Sequence, residues 1–248
     1  IKAINAFLRP RKNNEIFPIY ELIQKYNLVS VHGFLPFLFK TNPNIVVRFA
    51  TESDREKLKS FIHKKIADYD LAPSALQDDF INYISSSTLY SFGRFIIALD
   101  SEENIVGCTH PLSSTLLQDY LPQAYDSQAN NFRQFLKFAS FLGFARSLTR
   151  PFSSTNREQT LNFQMLHFFF FDHPEVFKSL LKFCYKKASK TDFLIYAYQP
   201  EQYSFRPPKG CLSSSIPHAL YEIKQPDDPS YQTRLKFMKK IFLDHLWF

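Results

Sequence analysis

A single histidine, His167, stands inside the most apolar stretch of the chain, Leu161 to Phe171, which ends in four consecutive phenylalanines. Histidine is the side chain whose ordinary pKa lets it exchange a proton near neutral pH, so it is a candidate general base. Between apolar neighbours it equally serves as a core residue with its nitrogens satisfied. Ser, His and Asp all occur, yet no G-x-S-x-G elbow, no Walker loop and no H-E-x-x-H is present. The three cysteines, Cys108, Cys184 and Cys211, include no C-x-x-C pair. A zinc cluster or disulfide framework is therefore not expected, and reduced thiols in a cytoplasmic protein are. Residues 127–157 hold Arg133, Lys137, Arg146, Arg150 and Arg157 and no acidic residue. Phe132, Phe135, Phe138, Phe141 and Phe144 interleave with these cations. Such a stretch suits an anionic partner, RNA or a membrane surface, and equally a helix with a solvated basic face.

Composition narrows the classes. Of 248 residues, 45% are hydrophobic, 28 are Phe, 13 are Tyr and 5 are Gly, which excludes collagen-like and low-complexity chains. The net charge of +7 favours an anionic partner only mildly. No apolar run approaches the roughly 18–20 residues that cross a bilayer, so no transmembrane segment is expected. No signal peptide is read at the start, which is Ile rather than Met. A fragment of a longer protein is the expectation.

The elements that must position these residues read as follows. Ile1–Leu8 suggests a short helix and Tyr26–Val31 a strand. Thr41–Asn44 is a turn and a boundary. Asn44–Ala50 reads as a strand, followed by a helix capped by Ser53 and Glu56 with Leu58, Phe61, Ile62, Ile66 and Tyr69 on one face. A second helix, boxed by Ser74 and Gln77, presents Leu76, Phe80, Ile81 and Ile84. Phe92–Leu99 and Ile105–Thr109 form a hairpin around Asp100–Asn104. Residues 110–130 read as loop and Phe132–Leu148 as a helix. Leu161–Phe171 has the continuous apolarity of a strand buried on both faces. Asp172 and Glu175 box the next helix, with Pro174 in its first turn. Phe193–Tyr198, Cys211–Ser215 and His218–Ile223 read as strands, and Tyr231–His245 as a basic amphipathic helix.

This order resembles the GNAT acyltransferase superfamily over about residues 45–225. Val46-Val47-Arg48-Phe49-Ala50-Thr51-Glu52-Ser53-Asp54 is similar to the family's opening strand and helix. Phe95-Ile96-Ile97-Ala98-Leu99-Asp100 with Asn104-Ile105-Val106-Gly107-Cys108 is similar to its second and third strands. A closer resemblance is to the second unit of bacterial tandem-GNAT proteins, which read D-x-P-E-V-F-x-x-L-L after the central strand. Here Asp172-His173-Pro174-Glu175-Val176-Phe177-Lys178-Ser179-Leu180-Leu181 stands in that place. The resemblance implies an α/β fold: a GNAT-like central mixed β-sheet flanked by helices, with a helical insertion before the central strand. It implies that residues 1–43 are the C-terminal remnant of a preceding GNAT-like unit and that 44–248 form the acyltransferase domain.

By the same resemblance the two strands Asn162–Phe171 and Phe193–Tyr198 are parallel neighbours that splay to form the cofactor cleft, with the basic insertion overhanging its mouth. Acetyl-CoA or another acyl-CoA is the implied cofactor and an amine of unknown identity the acceptor. His167 stands where the family often places a base, and Tyr196, Tyr198 and Tyr203 near where it often places an acid. His167, Phe168, Phe169, Asp172 and His173 hold the positions that would line the cofactor. The family's R/Q-x-x-G-x-G/A pyrophosphate loop is degenerate here. No Gly lies between Gly143 and Gly210, Pro174 has no amide, and Asp172 and Glu175 are anionic. An N-acyltransferase is thus the first functional expectation. A non-catalytic GNAT-like domain for binding or assembly, binding no acyl-CoA, is the alternative. Apolar residues near the start, including Phe34, Phe37 and Phe39, call for cover, and a homo-oligomer is one way to supply it.

Overall fold

Side chains alternate in Ile96–Leu99. Ile97 and Leu99 enter one apolar cluster, Ile96 and Ala98 another, and all four are buried. A strand with both faces apolar must lie inside a sheet covered on both sides. The computed structural model, which describes residues 19–74, 76, 79–116, 120–152, 160–224 and 239–243, places it so. In chain order the described elements are β1 (Ile19–Phe34), β2 (Val46–Phe49), α1 (Arg55–Ile66), β3 (Tyr69–Asp70), α2 (Phe80–Ser86), β4 (Ile96–Leu99) and β5 (Ile105–Ser113). They continue with α3 (Ser127–Phe141), β6 (Phe163–Phe171), α4 (Pro174–Lys187), β7 (Phe193–Tyr198), β8 (Cys211–Lys224) and β9 (Lys240–Ile241). Seven strands make one mixed sheet in the order β2-β4-β5-β6-β7-β1-β8, and β3 pairs β9 in a small parallel ribbon.

Local chemistry sets the joints. The Asp100 carboxylate accepts from the amides of Glu102 (2.9 Å) and Asn104 (2.8 Å), closing the β4–β5 turn as an Asx turn. Those amide bonds, that of Asn104 foremost, lower the Asp100 pKa. At the entry to α1 the capping pair is Thr51 with Asp54, two residues before the expected Ser53–Glu56. The Thr51 amide and hydroxyl donate to Asp54 Oδ2 at 2.8 and 2.7 Å. Arg48 forks onto the same carboxylate at 2.6 and 2.8 Å, and this bond above all holds Asp54 well below the usual carboxylate range. Asp79, not Ser74, caps α2 through the Asn82 amide; Gln77 lies outside the described residues.

Two cores fill the layers on either side of the sheet. Leu58, Ile62 and Ile66 of α1 and Phe80 and Ile84 of α2 pack against Phe95, Ile97, Cys108, Phe168 and Phe170. Val176, Phe177, Leu180, Leu181 and Cys184 of α4 pack against Ile96, Ala98, Leu166, Phe169, Phe171 and Tyr196. The expected mixed sheet flanked by helices is therefore present. So is the expected parallel pair: β6 and β7 run side by side, joined by α4.

Several boundaries differ. The strand expected at 26–31 extends over sixteen residues as β1, which lies between β7 and β8 and pairs antiparallel with both. Cys211–Lys224 is one strand rather than two, because the long β1 templates it throughout. The helix expected at 132–148 is α3, 127–141. Asp126 caps its start through the Ala129 amide, and Gly143 ends it in a left-handed turn with φ +77°. There the Phe144 amide reaches Ala139 O and the Gly143 amide Ser140 O, a Schellman closure. The chain then returns to the sheet, where the Phe34 amide donates to Phe144 O and the Arg146 amide to His32 O. Of the expected terminal helix 231–245, residues 239–243 carry β9 instead; the rest, like Ile1–Leu8, lies outside the described residues. Phe39 is buried and Phe34 half-buried, whereas Phe37 is exposed.

Gly33 is the tightest backbone approach in the molecule's glycines. A Cβ there would stand 2.1 Å from Phe144 O and 2.7 Å from Ala145 Cα. Gly93 has nothing within 4 Å of the same position. Gly33→Ala is expected to cost about 1–3 kcal/mol, seen as a melting temperature lower by roughly 2–12 °C. Gly93→Ala should change stability by less than about 0.5 kcal/mol. Thermal unfolding of the two variants side by side checks the pair.

Candidate functional site

The central strand is irregular at the point where chemistry was expected. Along β5 and β6, Pro111 opposes Leu166 and His110 opposes His167, but Cys108 opposes Phe170. Thr109 therefore faces two residues, Phe168 and Phe169, and Phe168 takes a left-handed φ of +49°. This is a β-bulge. It reverses the alternation of β6, so His167 and Phe168 both turn toward Tyr90 on the α1–α2 face while Leu166, Phe169 and Phe171 turn toward α4. The Thr109 hydroxyl donates to His167 O at 3.0 Å and the Cys108 thiol to Phe168 O at 3.4 Å, satisfying carbonyls at the irregularity. A left-handed phenylalanine costs about 1–3 kcal/mol. Burying its ring, here 2% exposed, returns about 1.5–3 kcal/mol.

The bulge sits beside a divergence. β6 and β7 pair only through Phe163–Met165 with Phe193–Ile195. Beyond Met165, β7 continues on β1 alone and the two parallel strands separate. The gap is lined by His167 to Phe170, Ala197, Gln202 and Phe205, and on another side by the segment 241–243. Ile241 and Phe242 are buried. Gln199 donates its side-chain amide to Ile241 O, the Phe242 amide donates to Asp70 O at 2.9 Å, and the Phe242 ring stacks on Phe170 and meets Tyr69 edge-on. About 50 Å³ of cavity remains, against roughly 300–1,000 Å³ for small-molecule sites.

Of the candidate residues, His167, Phe168 and Phe169 line this gap, whereas Tyr196, Tyr198, Tyr203, Asp172 and His173 do not. His167 is buried beside His110 and Tyr90. Tyr196 lies on the opposite face in the α4 core, where its hydroxyl donates to Phe205 O at 2.9 Å and burial pushes its pKa well up. Tyr198 joins the same core, and Tyr203, 68% exposed, stacks under the Arg206 guanidinium at 4.3 Å. Phe168 and Phe169 line the gap with opposite faces, as the bulge requires.

At the start of α4 the expected Asp172–Glu175 box is absent. The N-cap is His173, with no side-chain cap bond. Asp172 instead pairs with Lys65 Nζ at 2.6 Å, and Glu175 accepts from Asn42 Nδ2 at 2.7 Å. The Val176 amide is turned onto His173 O. Pro174 offers no donor, Glu175 adds charge, and the Asp172 and Phe177 amides are turned onto Val106 O and His173 O, so these residues do not fit a pyrophosphate.

The basic stretch is also rearranged. Arg146 is buried, and its guanidinium caps the end of α4 by donating to the carbonyls of Tyr185, Ala188 and Asp192 while lying 3.8 Å over the Tyr185 ring. It is a structural cation, not part of a surface patch. Arg157 lies outside the described residues. α3 packs near His32, Phe193 and Leu212, at the end where β7 begins, and not over the gap at the far end of the pair. The expectation that the insertion covers the cleft mouth is thereby corrected.

Residues that sequence reasoning missed are His110, Tyr90, Phe242 and Lys190. His110 fell in a segment read as loop; β5 runs on through it because β6 supplies a partner as far as Ser113. Lys65, the partner of Asp172, lies more than a hundred residues away in the chain. Among the described residues, no group of three or more His, Cys, Asp or Glu is placed to hold a metal ion, and no helix is long and apolar enough to cross a membrane. The three cysteines are unpaired. Compared with known proteins, the chain matches no family model and no curated protein.

Burial lowers the pKa of His110 from 6.5 to about 4 and that of His32 to about 3. His110 also accepts from the Ser91 amide through Nε2, which places its proton on Nδ1. Both rings stay neutral in the folded state while the unfolded chain binds protons below pH 6.5. Stability is therefore full above 6.5 and falls as the pH drops toward 4. His110→Gln should remove on the order of 2–3 kcal/mol of the loss between neutral pH and about pH 4.5. Denaturant unfolding of both proteins across that range measures it; parallel curves would contradict a neutral buried His110.

Proposed function

We propose that the chain is a GNAT-like domain that works by binding or assembly, with its acyl-carrier cleft filled by its own residues 239–243. The observation that carries this reading is that Ile241 and Phe242, both buried, line the space where β6 and β7 separate and leave little of it open. Three features support it. The remaining cavity is too small for a nucleotide-sized cofactor. The start of α4 carries Asp172 and Glu175, bonded to Lys65 and Asn42, where a phosphate loop needs glycines. His167 and the tyrosines 196, 198 and 203 do not share one accessible pocket.

A second reading, an N-acyltransferase using acetyl-CoA or another acyl-CoA and an amine acceptor, is favoured by a specific observation. β6 and β7 diverge after three residue pairs, and beyond Met165 the β6 backbone has no strand partner on its β7 side among the described residues. This is the strand geometry that the resemblance to GNAT proteins led us to expect. On this reading residues 239–243 must leave the gap before anything binds.

Calorimetry with acetyl-CoA on the wild type and on Phe242→Ala separates the two. The binding-domain reading expects no heat of binding in either. Micromolar binding by the wild type would overturn it, the more so if Glu175→Ala left the affinity unchanged. Binding by Phe242→Ala alone would move the assignment to an acyltransferase held shut by its own segment.

A further inference from the structure

A second hollow, of about 460 Å³, opens at the end of the β6–β7 pair away from the gap. Its walls come from four separate places: one flank of α3, the segment 147–150, the approach to β6 at 160–162, and the turn at 190–191 before β7. Each wall except the third brings a cation. Arg133 and Lys137, one turn apart on α3, line the hollow together with Arg150 and Lys190. Between them stand hydroxyls and an amide, including Ser147, Thr160 and Asn162. Among the described residues no carboxylate lines it. The nearest in sequence, Asp192, is buried and occupied, accepting from Gln164 Nε2 at 3.0 Å and from Thr191 Oγ1.

We propose that this hollow binds a phosphate-bearing ligand. The volume lies in the range of small-molecule sites. Hydroxyl and amide donors interleaved with guanidinium and ammonium groups are the set that coordinates tetrahedral oxyanions, with arginine offering the paired fork. The positions are held firmly without a ligand. Arg133 is braced by Asn130 Oδ1 at 3.1 and 3.3 Å. The 147–150 segment is tied by Thr149 Oγ1 to Thr160 O and by Tyr125 to Thr149 O, and Arg146 anchors its start. Lys137 and Lys190 make no ion pair with any described residue.

The phosphate can belong to a soluble metabolite or to a lipid headgroup. The outward arc of α3 bears on the second source. Phe138 and Phe141, 62% and 87% exposed, project beside the cation row, while Leu136 and Ala139 on the inner face are buried. Rings outside and cations alongside are what an interfacial helix presents to an anionic bilayer.

Titration calorimetry with glycerol 3-phosphate and inorganic pyrophosphate, and co-sedimentation with phosphatidylcholine vesicles with or without phosphatidic acid, test the site. Lys137→Gln with Lys190→Gln is expected to weaken the phosphate interaction about tenfold or more, and added salt should weaken it further. Thermal unfolding confirms that the variant keeps its fold, since both lysines are exposed. If soluble probes bind and lose affinity in the double variant, the ligand is a free phosphate compound. If only phosphatidic acid vesicles bind, and both the lysine pair and Phe138→Ser with Phe141→Ser abolish it, the ligand is a headgroup. Absence of binding to every probe, or binding that the lysine substitutions leave unchanged, overturns the proposal.

Discussion

One extra residue in the middle strand governs the rest of the molecule. Where Thr109 faces both Phe168 and Phe169, β6 loses its alternation and regains it one residue later. Without that shift, Phe168 and Phe170 would exchange faces with Phe169 and Phe171. A strand of nearly continuous apolarity has no preference of its own between the two registers, because either face would be greasy. The register is instead chosen by the helices: α1 and α2 accept Phe168 and Phe170, and α4 accepts Phe169 and Phe171. The strain of a left-handed Phe168 is carried because two cores close at once.

The same irregularity lies three residues beyond the last β6–β7 pair. Bulged strands bend and twist more strongly, and here β6 turns from β7 while β7 stays paired with β1 along its other edge. The gap that results exposes backbone and ring edges that must be covered. Ile241 and Phe242 supply that cover, held by Gln199 and by the small β3–β9 ribbon. A cleft and its filling are thus two consequences of one packing solution.

At the opposite end of the parallel pair the fixed point is Arg146. A buried guanidinium must have its donors satisfied, and three carbonyls around the end of α4 and the start of β7 do so. Its own amide bonds to His32 O, and Tyr185 Oη donates to the same carbonyl at 2.8 Å. β1, α4 and β7 meet there, which is why residues 147–150, just beyond Arg146, are held where they line a hollow. Desolvation lowers the Arg146 pKa, opposed by Asp192 and Tyr185, without removing its charge at neutral pH.

Much of the frame was legible in the residues themselves. The continuous apolar run Ile96–Leu99, the turn at Asp100, the helical stripe Leu58–Ile62–Ile66, and Pro174 opening α4 all act over a few residues, so local patterning carries them. A mixed α/β sheet and the parallel β6–β7 pair were expected from the resemblance that the order of those elements carries, whereas the entry of β1 between β7 and β8 was not. What patterning cannot carry is decided by partners distant in sequence. The length of β1 and β8 depends on their pairing with each other, and Asp172 leaves its helix cap for Lys65. Arg146, indistinguishable in sequence from Arg133 and Arg150, turns inward because α4 ends beside it with open carbonyls. Lys190, well past the end of the basic stretch at Arg157, joins the cations of α3 because β6 and β7 start side by side. Residue types declare what chemistry is possible; long-range pairing and the need to satisfy every buried polar group decide which of those residues meet.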